Sequence, residues 1–237
     1  MQINIQGRFN GPVGMGNGGY VCGSLAKHLP ASRSESIRVS LKAPCPLDKT
    51  LDIQLDGMGA VMLDGDQKIA VGEAGLDPIA DLPPMIPSLV DSRAASDRFF
   101  VNPDEMYQQC FVCGKKRTED GLCLFAGTVG GHPDVVATPW TPAAEFIDEN
   151  GIIRSEIIWA ALDCPGYFAC SCKETSLLAA MQAQILDELK PGEVCRVIGW
   201  DKRGGDRSGR KRLAGTAIIG ADDRLIAVAD QMWIILK

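Results

Sequence analysis

One stretch, Ser155 to Phe168, restricts the fold of this chain more than any other. Ser155 is a favourable helix N-cap, because its hydroxyl can accept a hydrogen bond from a free amide of the first turn. Glu156 then suits the positive end of a helix. Residues 157–162 are apolar without a break, so a helix here has no polar face for water. Such a helix must be enclosed by the rest of its domain.

Asp163 ends this apolar run. An acid is doubly unfavourable there, because it enters apolar surroundings and lies near the negative end of the helix. Pro165 cannot donate to a carbonyl one turn back, so we expect the helix to kink or stop close to the acid. Asp163 is therefore predicted to serve function rather than folding. The alternative is a structural acid that accepts hydrogen bonds from backbone amides near the kink.

The composition is that of a globular protein with a substantial core. The 237 residues are 46% hydrophobic, which suffices for one large domain or two small ones. With 23% charged residues and a net charge of −6, the chain is expected to be soluble and not to bind nucleic acid broadly. No apolar run approaches the roughly 20 residues of a membrane span, and no signal peptide opens the chain, so no membrane association is expected. The nine cysteines form no regular secreted framework, which predicts reduced thiols in a cytoplasmic protein.

The first half reads as a strand, a helix and four further strands. A glycine-rich loop over residues 11–20 leads into a predicted helix over residues 21–29, with Asn17 near its N-cap. Asp64-Gly65 is typical of a hairpin turn. Residues 77–103 carry prolines and scattered charge, which predicts a linker or a long crossing segment. The predicted strands cover residues 1–9, 36–41, 50–55, 59–63 and 68–74.

The second half repeats this order. It opens with Cys110-x-x-Cys113-Gly114 and a charged loop, and the helix after Ser155 is followed by further strands. The closing strands of the two halves read alike, Lys68 to Ala74 against Leu225 to Gln231. The predicted strands cover residues 122–125, 134–138, 180–186, 193–200, 213–219 and 225–236.

The same order of helix and strands in both halves indicates an internal duplication. A single short helix followed by four strands can bury that helix only if the sheet wraps around it. The predicted fold class is therefore α+β, with a central helix wrapped by an antiparallel sheet in each of two repeats. The first repeat with its linker covers residues 1–96, and the second covers residues 97–237.

Three short motifs resemble a known family. Asn17-Gly18-Gly19-Tyr20 looks like the helix-start motif of hotdog proteins, and Trp159 to Asp163 looks like the acid-bearing central helix of tandem-hotdog acyl-CoA thioesterases. Cys110-x-x-Cys113-Gly114 followed by Gly121-Leu122 is similar to the lead-in segment of many single hotdog thioesterase domains. The resemblance implies two hotdog repeats that form a pseudo-dimer within one chain, and an activity on acyl-CoA thioesters.

The family's active sites lie between the helix start of one domain and an acid of the other. The resemblance therefore pairs Asn17 and the amides of Gly18 to Tyr20, Gly19 among them, with Asp163. Free amides at a helix start can stabilise the oxyanion of a thioester carbonyl. Asp163 is then predicted to activate water as general base, or to attack directly. For the glycine-rich loop, the alternative is a simple turn before a helix.

Other residues are predicted to bind the substrate. Trp159, Tyr20 and Phe168 are candidate walls of a tunnel for the thioester. Arg210 and Lys211, with the neighbouring Arg212, belong to a basic run that suits the phosphates of coenzyme A. The alternative for this run is a solvated hairpin loop.

Competing chemistries are disfavoured. Dehydration would need a histidine paired with an acid, whereas His28 is expected at the far end of its helix and His132 in a loop. No Gly-x-Ser-x-Gly elbow of a serine hydrolase is present. Cys110 and Cys113 have the spacing of half a zinc site, with Cys123, Cys170 and Cys172 as irregular completions, but a turn of buried thiols is favoured. No metal is therefore predicted, and no cofactor other than coenzyme A as part of the substrate.

The first helix lacks an acid equivalent to Asp163, so one complete and one degenerate site per chain are expected. The alternative function is a non-catalytic acyl-CoA-binding or sensing module, and a third possibility is a scaffold that assembles with a partner. Exposed edge strands favour a homodimer of pseudo-dimers, because edges tend to be paired or covered.

Overall fold

A computed structural model of the chain describes residues 1–117, 120–171 and 174–236. In this part of the chain, three α-helices accompany one eleven-stranded sheet. The helices are α1 (Gly18–Ala26), α2 (Leu89–Ser96) and α3 (Ser155–Cys170). The strands are β1 (Gln2–Asn4), β2 (Ser36–Leu41), β3 (Thr50–Asp56), β4 (Gly59–Asp64), β5 (Gln67–Leu76), β6 (Gly127–Val129), β7 (His132–Trp140), β8 (Ser176–Ile185), β9 (Cys195–Asp201), β10 (Lys211–Gly220) and β11 (Leu225–Ile235).

The sheet contains the same strand order twice. Its order is β1-β3-β4-β5-β2-β8-β11-β10-β9-β7-β6, and all neighbouring strands are antiparallel. Apart from β6, which adds one strand at the outer end of the second half, the order β1-β3-β4-β5-β2 matches β7-β9-β10-β11-β8 when each is read inward. In both halves a helix follows the first of these strands. The fold is therefore α+β with two hotdog repeats, as the sequence predicts.

The two repeats join edge to edge through β2 and β8. Val39 pairs with Met181 in the middle of this junction, and both side chains are fully buried. Beside them, Arg38 donates to the Gln182 side-chain oxygen from Nε at 3.2 Å and from Nη2 at 2.6 Å. Continuous pairing across the junction leaves one sheet over which both central helices can pack.

The helices α1 and α3 lie against each other at two glycines. A Cβ on Gly19 would come within 2.5 Å of the Trp159 carbonyl oxygen, and a Cβ on Gly23 within 2.7 Å of the Glu156 Cα. The main core surrounds this contact and includes the inward side chains of both sheet halves. The start of α1 is thereby held against the middle of α3.

The helix α2 lies on the opposite face of the second repeat's sheet. Ile218 belongs to the main core, whereas its neighbours Ala217 and Ile219 belong to a second cluster with Ala95 of α2. The predicted linker over residues 77–103 therefore contains a helix. Its start was marked in the sequence by Ser88, whose Oγ accepts from the Asp91 amide at 3.1 Å. The predicted division at residue 96 falls on the last residue of α2 and stays a prediction.

The helix α3 passes through Pro165 and ends at Cys170, so of the predicted kink or stop near the acid, the stop does not occur. A sheet side chain supports the helix there, because Gln231 Nε2 donates to the Leu162 carbonyl at 2.6 Å. The cap also differs from the expectation. Ser155 is the first helical residue, and Arg154 occupies the N-cap without a side-chain hydrogen bond.

Most other elements agree with the sequence. Asn17 caps α1, and the hairpin between β4 and β5 turns through Gly65 at a φ of 58°. The predicted strand over residues 122–125 is absent: the segment has no regular secondary structure, and Cys123 adopts a positive φ of 52°. The segment lies beside residues 110–113 instead, and the Leu124 amide donates to the Val112 carbonyl at 2.8 Å.

Candidate functional site

The carboxylate of Asp163 lies at the junction of the two repeats. Its Oδ2 atom accepts from the Gly19 amide at 3.0 Å and from Asn17 Nδ2 at 2.8 Å. Both donors belong to the first repeat, whereas Asp163 belongs to the central helix of the second. The structure therefore brings together the three residues that the sequence predicts to be catalytic.

The N-cap of α1 fixes the orientation of this contact. Asn17 Oδ1 accepts from the Tyr20 amide at 2.9 Å, so the amide group of the side chain turns its Nδ2 toward Asp163. Asn17 is buried, with 2% of its surface exposed. A side chain at Gly19 would overlap the site, since its Cβ would lie 2.7 Å from the Asp163 Cβ.

Burial dominates the electrostatics of Asp163. Desolvation raises the pKa of this carboxyl to about 7, although the hydrogen bonds from Gly19 and Asn17 act in the opposite direction. Among the residues that the structure describes, no group donates to its second oxygen, Oδ1. One oxygen is thus anchored by the protein, and the other is a buried acceptor without a partner among the described residues.

A cavity of about 290 Å³ opens beside this carboxylate. Its lining comes from both repeats and includes Asn17, Gly18 and Asp163. The wall is rich in aromatic side chains, which the sequence analysis did not identify apart from Phe168. They are Phe99, Tyr107, Tyr167, Phe168 and Trp233.

Two of the three predicted wall residues do not line the cavity. Tyr20 stacks on Phe9 with ring centroids 3.9 Å apart, and Trp159 faces Gly23, whose Cβ would lie 2.7 Å from the tryptophan Cβ. Both aromatic side chains therefore pack the interface around α1. Phe168 does line the cavity and packs on Phe99 at 4.6 Å between centroids.

The first-turn amides of α1 are only partly available to a ligand. The Gly19 amide is bonded to Asp163 and the Tyr20 amide to Asn17. The Gly18 amide makes no hydrogen bond to another described residue, and Gly18 lines the cavity. One backbone donor at the positive end of a helix is thus without a partner among the described residues, and it belongs to a residue of the cavity lining.

The basic loop between β9 and β10 is largely neutralised within the chain. Its paired arginines are Arg203 with Asp206, Arg207 with Asp201, and Arg212 with Glu174. Arg210 and Lys211 are exposed and lie outside the cavity lining. Arg210 nevertheless reaches the edge of the site, because its Nε donates at 2.9 Å to the Ile235 carbonyl, between the lining residues Ile234 and Leu236.

Two further lysines, Lys42 and Lys115, are exposed residues of the cavity lining. The sequence analysis identified neither of them. Lys115 Nζ lies 3.7 Å from the centroid of the Phe125 ring, a cation–π distance.

Three buried cysteines also meet at the cavity. Cys110, Cys113 and Cys164 place their Sγ atoms within 4.8 Å of one another, and all three line the cavity. The sequence analysis did not identify Cys164 as the third member. Of the completions considered for Cys110 and Cys113, Cys123 and Cys170 lie outside this cluster, and Cys172 lies outside the described residues.

The pseudo-symmetric position carries different groups. When Gly18 is aligned with Ser155 as the first helical residue, Ala26 corresponds to Asp163 and Glu156 to Gly19. In place of the carboxylate contact, Lys27 Nζ lies 3.3 Å from Glu156 Oε1. The pseudo-symmetric position therefore has Ala26 where the site described above has Asp163.

Solved structures with the same fold cover the whole chain. The tesB protein MAP1729c of Mycobacterium avium subs paratuberculosis aligns with a TM-score of 0.64 and 11% identity, over 100% of this chain and 92% of that one. A hotdog protein of unknown function from Alicyclobacillus acidocaldarius aligns with a TM-score of 0.63 and 10% identity, over 100% of this chain and 92% of that one. A candidate thioesterase from Novosphingobium aromaticivorans aligns with a TM-score of 0.61 and 11% identity, over 100% of this chain and 95% of that one. These likenesses establish the tandem hotdog fold.

No protein-family model and no curated protein sequence matches the chain. Among the described residues, no helix is long and apolar enough to cross a membrane.

Proposed function

We propose that this protein hydrolyses an acyl-CoA thioester in the cavity between α1 and α3. One observation carries the proposal. Asp163 presents a buried carboxylate at the cavity, with Oδ2 held by the helix start of the other repeat and Oδ1 without a partner among the described residues. A fixed and desolvated carboxylate suits either a general base or a nucleophile.

The thioester carbonyl would lie at the start of α1. The Gly18 amide is the donor that remains for the oxyanion, and the helix dipole adds positive potential at the same point. Glycine at this position lets the substrate approach the backbone closely. The sequence analysis expected the amides of Gly18 to Tyr20 to bind the oxyanion together, whereas this proposal assigns that role to the Gly18 amide alone.

In the general-base route, water attacks the carbonyl carbon while its proton passes to Asp163 Oδ1. Collapse of the tetrahedral intermediate then breaks the C–S bond, and the departing thiolate of coenzyme A takes that proton. In the nucleophilic route, Oδ1 attacks the carbonyl carbon and the C–S bond breaks, which releases coenzyme A as thiolate and leaves a mixed anhydride. Water then hydrolyses the anhydride to the free acid and the Asp163 carboxylate, and the proton released neutralises the thiolate. Asn17 would keep the carboxylate in place in both routes.

The acyl group would occupy the aromatic part of the cavity around Phe168. The phosphates of coenzyme A would then lie at the exposed margin, where Lys42 and Lys115 line the opening and Arg210 borders it. Lys211 adds a further exposed charge on the same loop. Two structural neighbours, named a tesB protein and a candidate thioesterase, are consistent with such a substrate at 11% identity each.

A non-catalytic acyl-CoA-binding module is the second candidate. It is favoured by the two first-turn amides already bonded within the protein, at Gly19 and Tyr20, which leave one backbone donor for an oxyanion. A dehydratase has no such support, because neither His28 nor His132 lines the cavity.

Thiol release from a panel of short, long and aromatic acyl-CoAs tests the proposal. We expect turnover by the wild type and a loss of roughly 100-fold or more in Asp163→Asn, the scale of a lost general base. Glu156→Gln is the matched control, since it alters a buried acid of the same helix pair that does not line the cavity. Binding of acyl-CoA without thiol release would favour the binding module, and turnover retained in Asp163→Asn would exclude Asp163 as the catalyst.

The proposal includes a cytoplasmic protein that forms a homodimer of pseudo-dimers. Light scattering of the purified protein tests the second part, with twice the chain mass as the expected result.

A further inference from the structure

The sulfur atoms of Cys110, Cys113 and Cys164 converge at one side of the cavity. Cys110 Sγ and Cys164 Sγ are 3.7 Å apart, and all three sulfurs lie within 4.8 Å of one another. All three residues are buried. Two of them come from the lead-in segment of the second repeat and the third from α3, so the cluster joins two separate pieces of the chain.

The lead-in segment makes a tight turn around the first sulfur. The Gly114 amide donates to the Cys110 carbonyl at 2.9 Å. Gly114 is required by this turn, because its Cβ would lie 2.6 Å from the Cys110 nitrogen and from the Gln108 carbonyl oxygen.

We infer that Cys110, Cys113 and Cys164 bind a zinc ion, with the fourth coordination position open to the cavity. Zinc–sulfur bonds of about 2.3 Å at tetrahedral angles place two bound sulfurs about 3.8 Å apart. The observed 3.7 Å between Cys110 and Cys164 meets this requirement. A modest closing movement of the three side chains would bring each sulfur to the same ion.

The chemistry of the cluster also favours a thiophilic ion. Among the described residues, the cluster consists of three thiols without a histidine or a carboxylate, and thiolate sulfur selects zinc or copper(I) over magnesium or calcium. The fourth ligand has to come from the cavity, which all three cysteines line, and water is the simplest donor. The inference concerns metal content alone and does not depend on thioester hydrolysis.

Other buried cysteines provide controls. Cys45 lines the same cavity but lies outside the cluster, and Cys195 is remote from the cavity lining, where its thiol donates to the Trp140 carbonyl at 3.3 Å. Both are as deeply buried as the cluster members. Serine at either position removes one buried thiol and leaves the three converging sulfurs intact.

The zinc content of the full chain is the decisive measurement. The protein is reconstituted with zinc chloride under reducing conditions, freed of excess metal by gel filtration and analysed by mass spectrometry of the metal. We expect one zinc per chain in the wild type, Cys45→Ser and Cys195→Ser. Cys113→Ser and Cys164→Ser should fall below a tenth of that value, because two thiolates and water hold zinc weakly.

Cobalt(II) reconstitution supplies a second readout that does not depend on a variant. A thiolate-to-cobalt charge-transfer band in the wild type, displaced by zinc, is expected. A wild type without stoichiometric zinc and without this band would overturn the inference. Full zinc retention by both Cys113→Ser and Cys164→Ser would also overturn it, as would zinc lost equally from the two control variants.

Discussion

The backbone nitrogen of Gly19 lies 3.0 Å from Oδ2 of Asp163, which joins the helix start of one repeat to the central helix of the other. An acid at this depth would be costly without such partners. The contact explains how a carboxylate can occupy an otherwise apolar helix. It also means that the two repeats share one site, since the pseudo-symmetric position carries Lys27 and Glu156 instead.

Asn17 has two separable roles, as N-cap of α1 and as donor to Asp163. Asn17→Ser keeps a capping oxygen but removes the donor, whereas Asn17→Ala removes both. We expect the turnover number to fall about tenfold or more in both variants, as the carboxylate loses part of its support. Only Asn17→Ala should also lose about 1 kcal/mol of unfolding free energy, the usual value of a lost cap.

Thiol-release kinetics and urea unfolding of these two variants measure the two roles. Asn17→Asp is a useful comparison, because it keeps the cap but places a second acid beside Asp163. Wild-type turnover in Asn17→Ser would show that the hydrogen bond to Asp163 is irrelevant to activity.

Gly19 and Gly23 form the close contact between α1 and α3, but of the two only Gly19 contacts Asp163. A Cβ would lie 2.5 Å from a backbone oxygen at Gly19 and 2.7 Å from a backbone carbon at Gly23, so both alanine variants must separate the helices. Overpacking of this kind costs about 1–3 kcal/mol of unfolding free energy. We expect similar destabilisation in the two variants and a much larger loss of turnover in Gly19→Ala.

Urea unfolding and kinetics at a temperature where both variants remain folded test this difference. Equal losses of turnover would mean that the spacing of the helices, rather than the local position of Asp163, controls activity.

Local sequence signals account for much of the fold and for the central contact. Asp163 was identified because it is an acid at the end of an apolar run, and Asn17 because it suits a helix N-cap. Their pairing came from the resemblance to hotdog proteins. The duplicated strand order likewise appears in the sequence itself. The helix α2 was missed because it is short and polar, and only Ser88 marks its start.

The remaining features depend on contacts distant in sequence. Cys164 joins Cys110 across 54 residues, and no local pattern contains that information. Trp159 was assigned to the cavity because it lies four residues before Asp163 in the sequence. Tyr20 was assigned to it because it belongs to the helix-start motif that the family resemblance pairs with Asp163. Their side chains point elsewhere on their helices, since an all-apolar helix gives no sign of which face meets a cavity.

Phe168 is predicted to limit the acyl group. It lines the cavity and packs on Phe99, so Phe168→Leu should enlarge the aromatic part of the cavity at a modest cost in stability. We expect the ratio of kcat/KM for a bulky aromatic acyl-CoA to that for acetyl-CoA to change several-fold. Phe146→Leu is the control, because Phe146 is equally buried but does not line the cavity. An equal change in both variants would remove Phe168 as a determinant of substrate size.

The exposed cations at the cavity margin are predicted to bind the phosphates of coenzyme A. Arg210→Ala combined with Lys211→Ala should raise KM about tenfold and leave kcat unchanged, because these contacts act equally in the ground state and the transition state. The dependence of KM on salt should weaken as well, since fewer charges attract the substrate.

Lys68→Ala is the control for net charge. It removes an exposed lysine from β5 that does not line the cavity, so KM should stay within about twofold of the wild type, as uniform charge effects are small. Lys42→Ala and Lys115→Ala test the lysines of the cavity lining in the same assay. If only these two raise KM, the phosphates lie at the lining and the basic loop is a solvated hairpin. A fall in kcat in the Arg210 and Lys211 double variant would contradict a role confined to binding.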